Sequence, residues 1–157
     1  MTTKKQKIRN NEYYNIQEMF DDLYDKSKNK KLKFKNLMQY VLDERNIELA
    51  YRNIKKNKGS KTKGTNSKTI VDISTMETEE VVNYVRKRLI NYQPQKVRRV
   101  EIPKANGSKR PLGIPTIEDR LIQQCILQVL EPICEAKFYN HNYGFRPNRS
   151  AHNAVGR

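Results

Sequence analysis

Apolar residues recur along this chain at helical spacing in five stretches and at every second position in one. In the first stretch, residues 14–24, Ile16, Phe20 and Leu23 share a face with Met19 beside them. Phe34, Leu37, Met38, Val41 and Leu42 repeat the pattern. Ile47, Ala50, Tyr51 and Ile54 take it up again after a break at Asp43-Glu44, which predicts two consecutive helices. Val81, Val85 and Leu89 mark a helix over residues 75–92, with Ser74 and Glu77 placed as a capping box and Pro94 as a stop. The widest face is Ile117, Leu121, Ile122, Cys125, Ile126, Val129 and Leu130. Thr116 is placed to cap this helix, with Asp119 three residues on, and Pro132 to end or kink it.

The alternating stretch lies between the last two of these helices. Val100 and Ile102 precede an Asn106-Gly107 pair, and Leu112 and Ile114 follow it. That pattern predicts a β-hairpin, since Asn and Gly accept the positive φ values of a tight turn. The connecting segments are polar. Residues 26–33 are lysine-rich and read as a linker. Residues 57–67 hold two glycines and no apolar side chain and read as a flexible loop. Residues 140–148 are irregular, and Ser150 is placed to cap a last short helix. The elements together predict an α+β chain, helical first, with a hairpin set among helices.

Composition narrows the picture. Hydrophobic residues make up 36% of the 157 positions and charged residues 31%, so the core is small. The formal net charge is +15. A solvated surface would account for some of it, but the cations cluster. Residues 52–68 carry seven Lys or Arg and no acid, and residues 86–110 carry nine against the single Glu101. Clustering of this kind points to a polyanion partner, nucleic acid first. No apolar run approaches the ~18 residues of a membrane span. Cys125 and Cys134 match no zinc spacing and read as buried free thiols of a reducing cytosol, which places the chain in the cytoplasm.

Candidate chemistry is sparse. Lys104 stands at the entrance of the hairpin turn, and Lys109 and Arg110 at its exit, an arrangement suited to phosphate. The backbone of the glycine-containing loop offers a second phosphate contact. Tyr40, Tyr51 and Tyr84 accompany the basic regions and would stack on bases or, more simply, pack in the core. Asp21-Asp22 is an adjacent pair whose side chains diverge by about 100° on a helix, which does not favour a shared metal. Asp72 and Asp119 read as turn and cap residues, and His141 and His152 as structural or exposed. No catalytic residue and no metal ligand is assigned.

One long string is more specific than any of these features. Ile-Pro-Lys-Ala-Asn-Gly-Ser-Lys-Arg-Pro-Leu-Gly-Ile-Pro-Thr-Ile-Glu-Asp-Arg (102–120) is followed by Leu-Glu-Pro-Ile (130–133). Tyr-Gly-Phe-Arg-Pro-Asn-Arg-Ser-Ala-His-Asn-Ala-Val (143–155) completes it. The string closely resembles the fingers region of group II intron reverse transcriptases, also called intron maturases. Residues 49–66 are similar to that family's N-terminal extension and template-gripping loop. The resemblance covers about 34–157.

The resemblance implies a right-hand polymerase that copies RNA into DNA and helps its parent intron fold and splice. By motif position, Lys104 and Arg110 would contact the triphosphate of an incoming dNTP. Lys55, Lys56, Lys58, Gly59, Lys61, Lys63 and Gly64, with Arg98 and Arg99, would hold the RNA template. Three segments are expected: a polar N-terminal segment 1–33, an N-terminal extension 34–72, and a fingers subdomain 73–157. Where the family's commonest loop reads Thr-Pro-Gly-Thr-Asp, this chain has Thr62-Lys63-Gly64-Thr65-Asn66. Where the commonest later motif has Gly and Asp, it has Asn148 and Asn153. The palm motif Tyr-x-Asp-Asp and its metal-binding aspartates are absent from these residues. The expectation is therefore that this chain alone binds no cofactor and does not polymerise, Mg2+ belonging to the full-length enzyme. The expected partners are intron or template RNA, dNTP in the full-length enzyme, no membrane, and a second copy of the chain through an exposed apolar fingers surface. Two other readings stay open: a stand-alone basic RNA-binding module, and a basic structural protein with no nucleotide site.

Overall fold

The computed structural model describes residues 10–29 and 32–156. The helices are α1 (Asn10–Tyr13), α2 (Gln17–Lys28), α3 (Met38–Val41) and α4 (Glu44–Lys56), with a 3-10 turn at Lys58–Lys61. Next come α5 (Ile70–Ser74), α6 (Thr78–Ile90), the strands β1 (Arg98–Pro103) and β2 (Lys109–Ile114), α7 (Ile117–Glu135) and α8 (Ala151–Val155). Among the described residues the architecture is α+β: helices around one core, with one two-stranded antiparallel hairpin. The first nine residues of the expected polar N-terminal segment lie outside the described residues.

Helix α7 is the spine. Ile117, Leu121, Ile122, Cys125 and Val129 on it are fully buried, and α2, α3, α4 and α6 lie against it. Leu23 of α2, Ile47 and Ala50 of α4, and Val81, Val82 and Val85 of α6 complete the core. The spacing of apolar positions located these faces. Leu130, assigned to the face of α7, is largely exposed instead. Tyr40, Tyr51 and Tyr84 pack against the core, the plainer of their two readings.

Several boundaries move for identifiable reasons. Asn15 adopts a left-handed φ of 56°, so α2 starts at Gln17 instead of within residues 14–16. It then runs to Lys28, three residues into the expected linker. Lys26 pairs with Asp22 at 2.6 Å and Lys28 with Asp25 at 2.7 Å, one helical turn back. The break at Asp43 is real: its carboxylate caps α4 by accepting from Arg45 N at 2.9 Å. The helix expected before it shrinks to the single turn α3, although Phe34 and Leu37 still meet the core.

The helix expected from residue 75 begins at Thr78, capped by Glu77 and Glu80. Ser74 and Thr75 do not cap it, because their hydroxyls donate back to Val71 O (2.7 Å) and Asp72 O (2.8 Å) and close α5. Asp72 is the capping-box partner of Thr69. Pro132, expected to end or kink α7, does not end it: the helix continues to Glu135 with Ile133 buried beyond the proline. Near a helix end the loss of one N–H bond is tolerated when packing holds the last turn. Cys125 is buried, and its thiol is pushed up to about 12 by burial, whereas Cys134 is exposed, against expectation.

Candidate nucleic-acid interface

The hairpin pairs Arg98 with Ile114, Val100 with Leu112, Ile102 with Arg110 and Pro103 with Lys109. Alternation therefore puts Arg98, Val100, Ile102, Arg110, Leu112 and Ile114 on one face, and Arg99, Glu101 and Lys109 on the other. Neither strand has a fully buried residue. The hairpin is thus not laid onto the helices along its length, as expected, but stands off them on its own pairing. Its turn also differs from the expected one. Gly107 alone has positive φ, at 78°. Gly107 N donates to Lys104 O at 3.0 Å and Lys104 N to Ser108 O at 2.7 Å. Asn106 serves through its side chain, whose Oδ1 accepts from Ser108 N (3.2 Å) and Oγ (2.7 Å).

The cations around this turn are not equivalent. Lys109 pairs with Glu101 at 3.2 Å, on the shared face. Lys104 and Arg110, the two residues expected to hold triphosphate, are exposed and meet no carboxylate among the described residues. Arg98 shares a face with Arg110 but sits four strand positions from its partner Ile102, about 13 Å along the strand. Arg99 lies on the opposite face.

The basic loop is pinned, not flexible. Arg120 Nη1 donates to Gly59 O at 2.8 Å, and Nη2 to Thr62 O at 2.5 Å. Thr65 Oγ1 donates to Lys96 O at 2.9 Å, tying the loop to the approach to β1. Gly64 is buried against the start of α7, where a Cβ would lie 2.7 Å from Thr116 Cα and 2.9 Å from Pro115 O. Its role is this close approach, which only glycine allows. Lys58, Lys61 and Lys63 point outward and are exposed, as is Gly59. Lys55 and Lys56 continue the basic run on α4, Lys55 lying 5.4 Å over the Tyr51 ring.

The start of α7 carries two buried carboxylates whose partners no local pattern announces. Thr116 Oγ1 does accept from Asp119 N at 3.3 Å. The Asp119 carboxylate does not return to the cap, as expected, but accepts from Arg88 Nη2 at 2.9 Å and Gln95 N at 2.8 Å. Glu118 accepts from Asn66 Nδ2 at 2.8 Å and meets Lys68 Nζ at 3.2 Å. An Asp at position 66, as in the family's commonest loop, would face this carboxylate with like charge. Asn66 supplies a donor instead.

Burial pushes the Glu118 carboxyl up, but the bonds from Asn66 and Lys68 outweigh it and hold the pKa below the ordinary 4.5. A depressed folded-state pKa gives stability that is present above the unfolded value and is lost as pH falls through the folded one. Glu118→Gln is expected to be less stable than the parent at neutral pH, the gap closing between about pH 5 and pH 3. Urea midpoints measured across that range check it, and a constant gap would refute the linkage.

The tail is organised by Arg146, another residue no periodicity picks out. Its side chain is buried, with Nε 2.9 Å from Glu135 Oε2 and Nη1 2.9 Å from the carbonyls of both Tyr139 and Asn142. Asn148 has φ 56°, a left-handed conformation that Gly and Asn tolerate best, which accounts for Asn where the commonest motif has Gly. Asn153 Oδ1 accepts from Ser150 N at 2.9 Å and so performs the capping task of the commonest Asp. Both departures keep the local geometry. Among the described residues no group of three His, Cys, Asp or Glu comes together to hold a metal, and Glu118 and Asp119 already have cation and amide partners. No helix among the described residues is long and apolar enough to cross a membrane.

Fold and site together define a basic α+β module in which a pinned loop and a hairpin both present cations. It is 36% identical over 151 residues to the group II intron-encoded protein LtrA of Lactococcus lactis subsp. cremoris, a match covering 96% of this chain and 22% of the relative. It is 35% identical over 148 residues to a 91 kDa protein in the cob intron of Schizosaccharomyces pombe, covering 90% of this chain and 18% of the relative. Over 88 residues it is 36% identical to maturase-like protein 1 of Euglena gracilis, covering 56% of this chain and 19% of the relative. No protein-family model matches. The chain belongs to the group II intron-encoded reverse transcriptase and maturase family, and it spans about a fifth of the length of these relatives.

Proposed function

We propose that this chain supplies the N-terminal extension and fingers of an RNA-directed DNA polymerase of that family. It grips single-stranded RNA through Lys55, Lys56, Lys58, Gly59, Lys61 and Lys63, with Gly64 seating the loop and Arg98 and Arg99 extending the surface. Lys104 and Arg110 hold the triphosphate of the incoming dNTP. The observation that carries this reading is selective pairing at the hairpin: Lys109 is taken by Glu101, while Lys104 and Arg110 are left exposed at the turn. An ammonium and a planar guanidinium suit phosphate oxygens as point charge and fork. Their work is to position the nucleotide and stabilise charge. Carboxylates and magnesium for the chemical step would be held elsewhere in the whole enzyme.

Lys104→Ala combined with Arg110→Ala tests the assignment in the longer enzyme that carries this segment. Each charge-assisted contact contributes about 1.5–3 kcal/mol, so loss of both is expected to lower kcat/KM for dNTP at least ~10²-fold. RNA affinity should change far less. Equal losses in both would leave a general basic surface without a nucleotide site. For RNA, a chain neutralising ~5 phosphates gives log K against log salt a slope of about −3.5 on single strands. A flat salt response of the purified chain would remove RNA from the proposal.

A further inference from the structure

Three consecutive residues at the start of α7 between them hold the basic loop and the approach to the hairpin. Glu118 takes Asn66 and Lys68, at the end of the basic loop. Asp119 takes Arg88, at the end of α6, and the Gln95 N–H, on the approach to β1. Arg120 takes the Gly59 and Thr62 carbonyls, inside the loop. Successive side chains leave a helix about 100° apart, so one turn reaches three sides. That turn cannot drift, because Ile117 and Leu121 on either side are fully buried. Asn66 Nδ2 and Gln95 Oε1, at 3.3 Å, join the loop directly to the hairpin approach.

We infer that Glu118, Asp119 and Arg120 are positioning residues that lock the basic loop and the hairpin into one bipartite cationic surface, so that a single RNA strand is held at both. The inference rests on the RNA-binding reading above. None of the three needs to touch RNA. On the hairpin the RNA contacts are Arg98 and Arg99 at the start of β1, apart from the dNTP pair at the turn, so loop and hairpin root form two sites on one support. A strand reaching both gains from the high effective concentration of the second contact, and that gain depends on a fixed geometry.

The test compares single-stranded RNAs of about 4 and about 12 nucleotides, which span the site sizes of single-strand binding folds, by fluorescence anisotropy on the full chain. The parent chain is expected to bind the longer RNA ~10²-fold more tightly. Asp119→Asn keeps the shape but offers one acceptor to two donors. Arg120→Lys keeps the charge, but an ammonium does not span both carbonyls as the fork does. Each variant is expected to cut the long-over-short ratio ~10-fold while leaving affinity for the short RNA within about 2-fold. A merely structural role would scale both affinities by the same folded fraction and leave the ratio unmoved. An unmoved ratio in both variants, or no length advantage in the parent chain, overturns the positioning role. Absence of salt-dependent binding to either RNA overturns the RNA reading itself. If Asp119→Asn does not fold, Arg120→Lys decides alone.

Discussion

Replacing Asn46 by Ala is expected to lower stability by about 2–3 kcal/mol, one of the two largest effects of any single change considered for this chain. Asn46 is fully buried at the junction of α3, α4 and α7. Its Nδ2 donates to Val41 O at 3.1 Å and Cys125 O at 3.0 Å, and its Oδ1 accepts from Gln128 Nε2 at 2.8 Å. Gln128 Oε1 in turn accepts from Asn53 at 2.9 Å. Truncation removes three bonds, leaves buried polar atoms without these partners and opens a small void. For a domain of this size the loss corresponds to a fall in Tm of about 5–10 °C. Urea denaturation measures it. Removing both partners, Asn46→Ala with Gln128→Leu, should cost less than the sum of the single changes, because the bond between the two side chains is lost only once. Strict additivity would show that the pair is not coupled.

Gly64→Ala is expected to cost a comparable ~2–3 kcal/mol, by overpacking instead of by loss of bonds. The new Cβ would lie 2.7 Å from Thr116 Cα and 2.9 Å from Thr116 N and Pro115 O, all of them backbone atoms that cannot rotate away. Either the loop lifts or α7 shifts, and α7 is held by the core. The loop is therefore expected to lift, exposing residues 57–68 to protease and lowering the denaturation midpoint. Gly59→Ala is the internal control. Nothing lies within 4 Å of its added Cβ and its φ is not positive, so stability should be unchanged or slightly raised. If the two variants behaved alike, loop composition and not close approach would explain Gly64.

Local patterns were legible wherever the interaction itself is local. Val81 and Val85 face the core as their spacing requires, the helices break at Asp43 as expected, and Ser150 and Thr116 cap the helices that follow them. The hairpin was legible from its alternation, although the turn uses positive φ only at Gly107. The linker at 26–33 was misplaced because charged pairs one turn apart extend α2, and polarity alone does not distinguish a solvated helix from a coil. At the site, sequence named the exposed cations but not what orders them. Arg88 reads as a helix-end cation and Asp119 as a cap residue, yet they meet across 31 positions.

What the sequence by itself determined is therefore the family, the apolar faces of four helices, the hairpin and the positions of its exposed cations. These follow from periodicity, turn chemistry and motif order, all properties of neighbouring residues. Only the tertiary structure decided that the glycine-containing loop is pinned and that, among the described residues, Lys109 meets a carboxylate while Lys104 and Arg110 do not. It also decided that Glu118, Asp119 and Arg120 join loop to hairpin, and that Asn46 and Gln128 bridge helices 82 positions apart. The physical reason is common to all four. A charge or amide is satisfied by whichever partner the packed helices bring within 3 Å or so, and sequence distance carries no information about that choice.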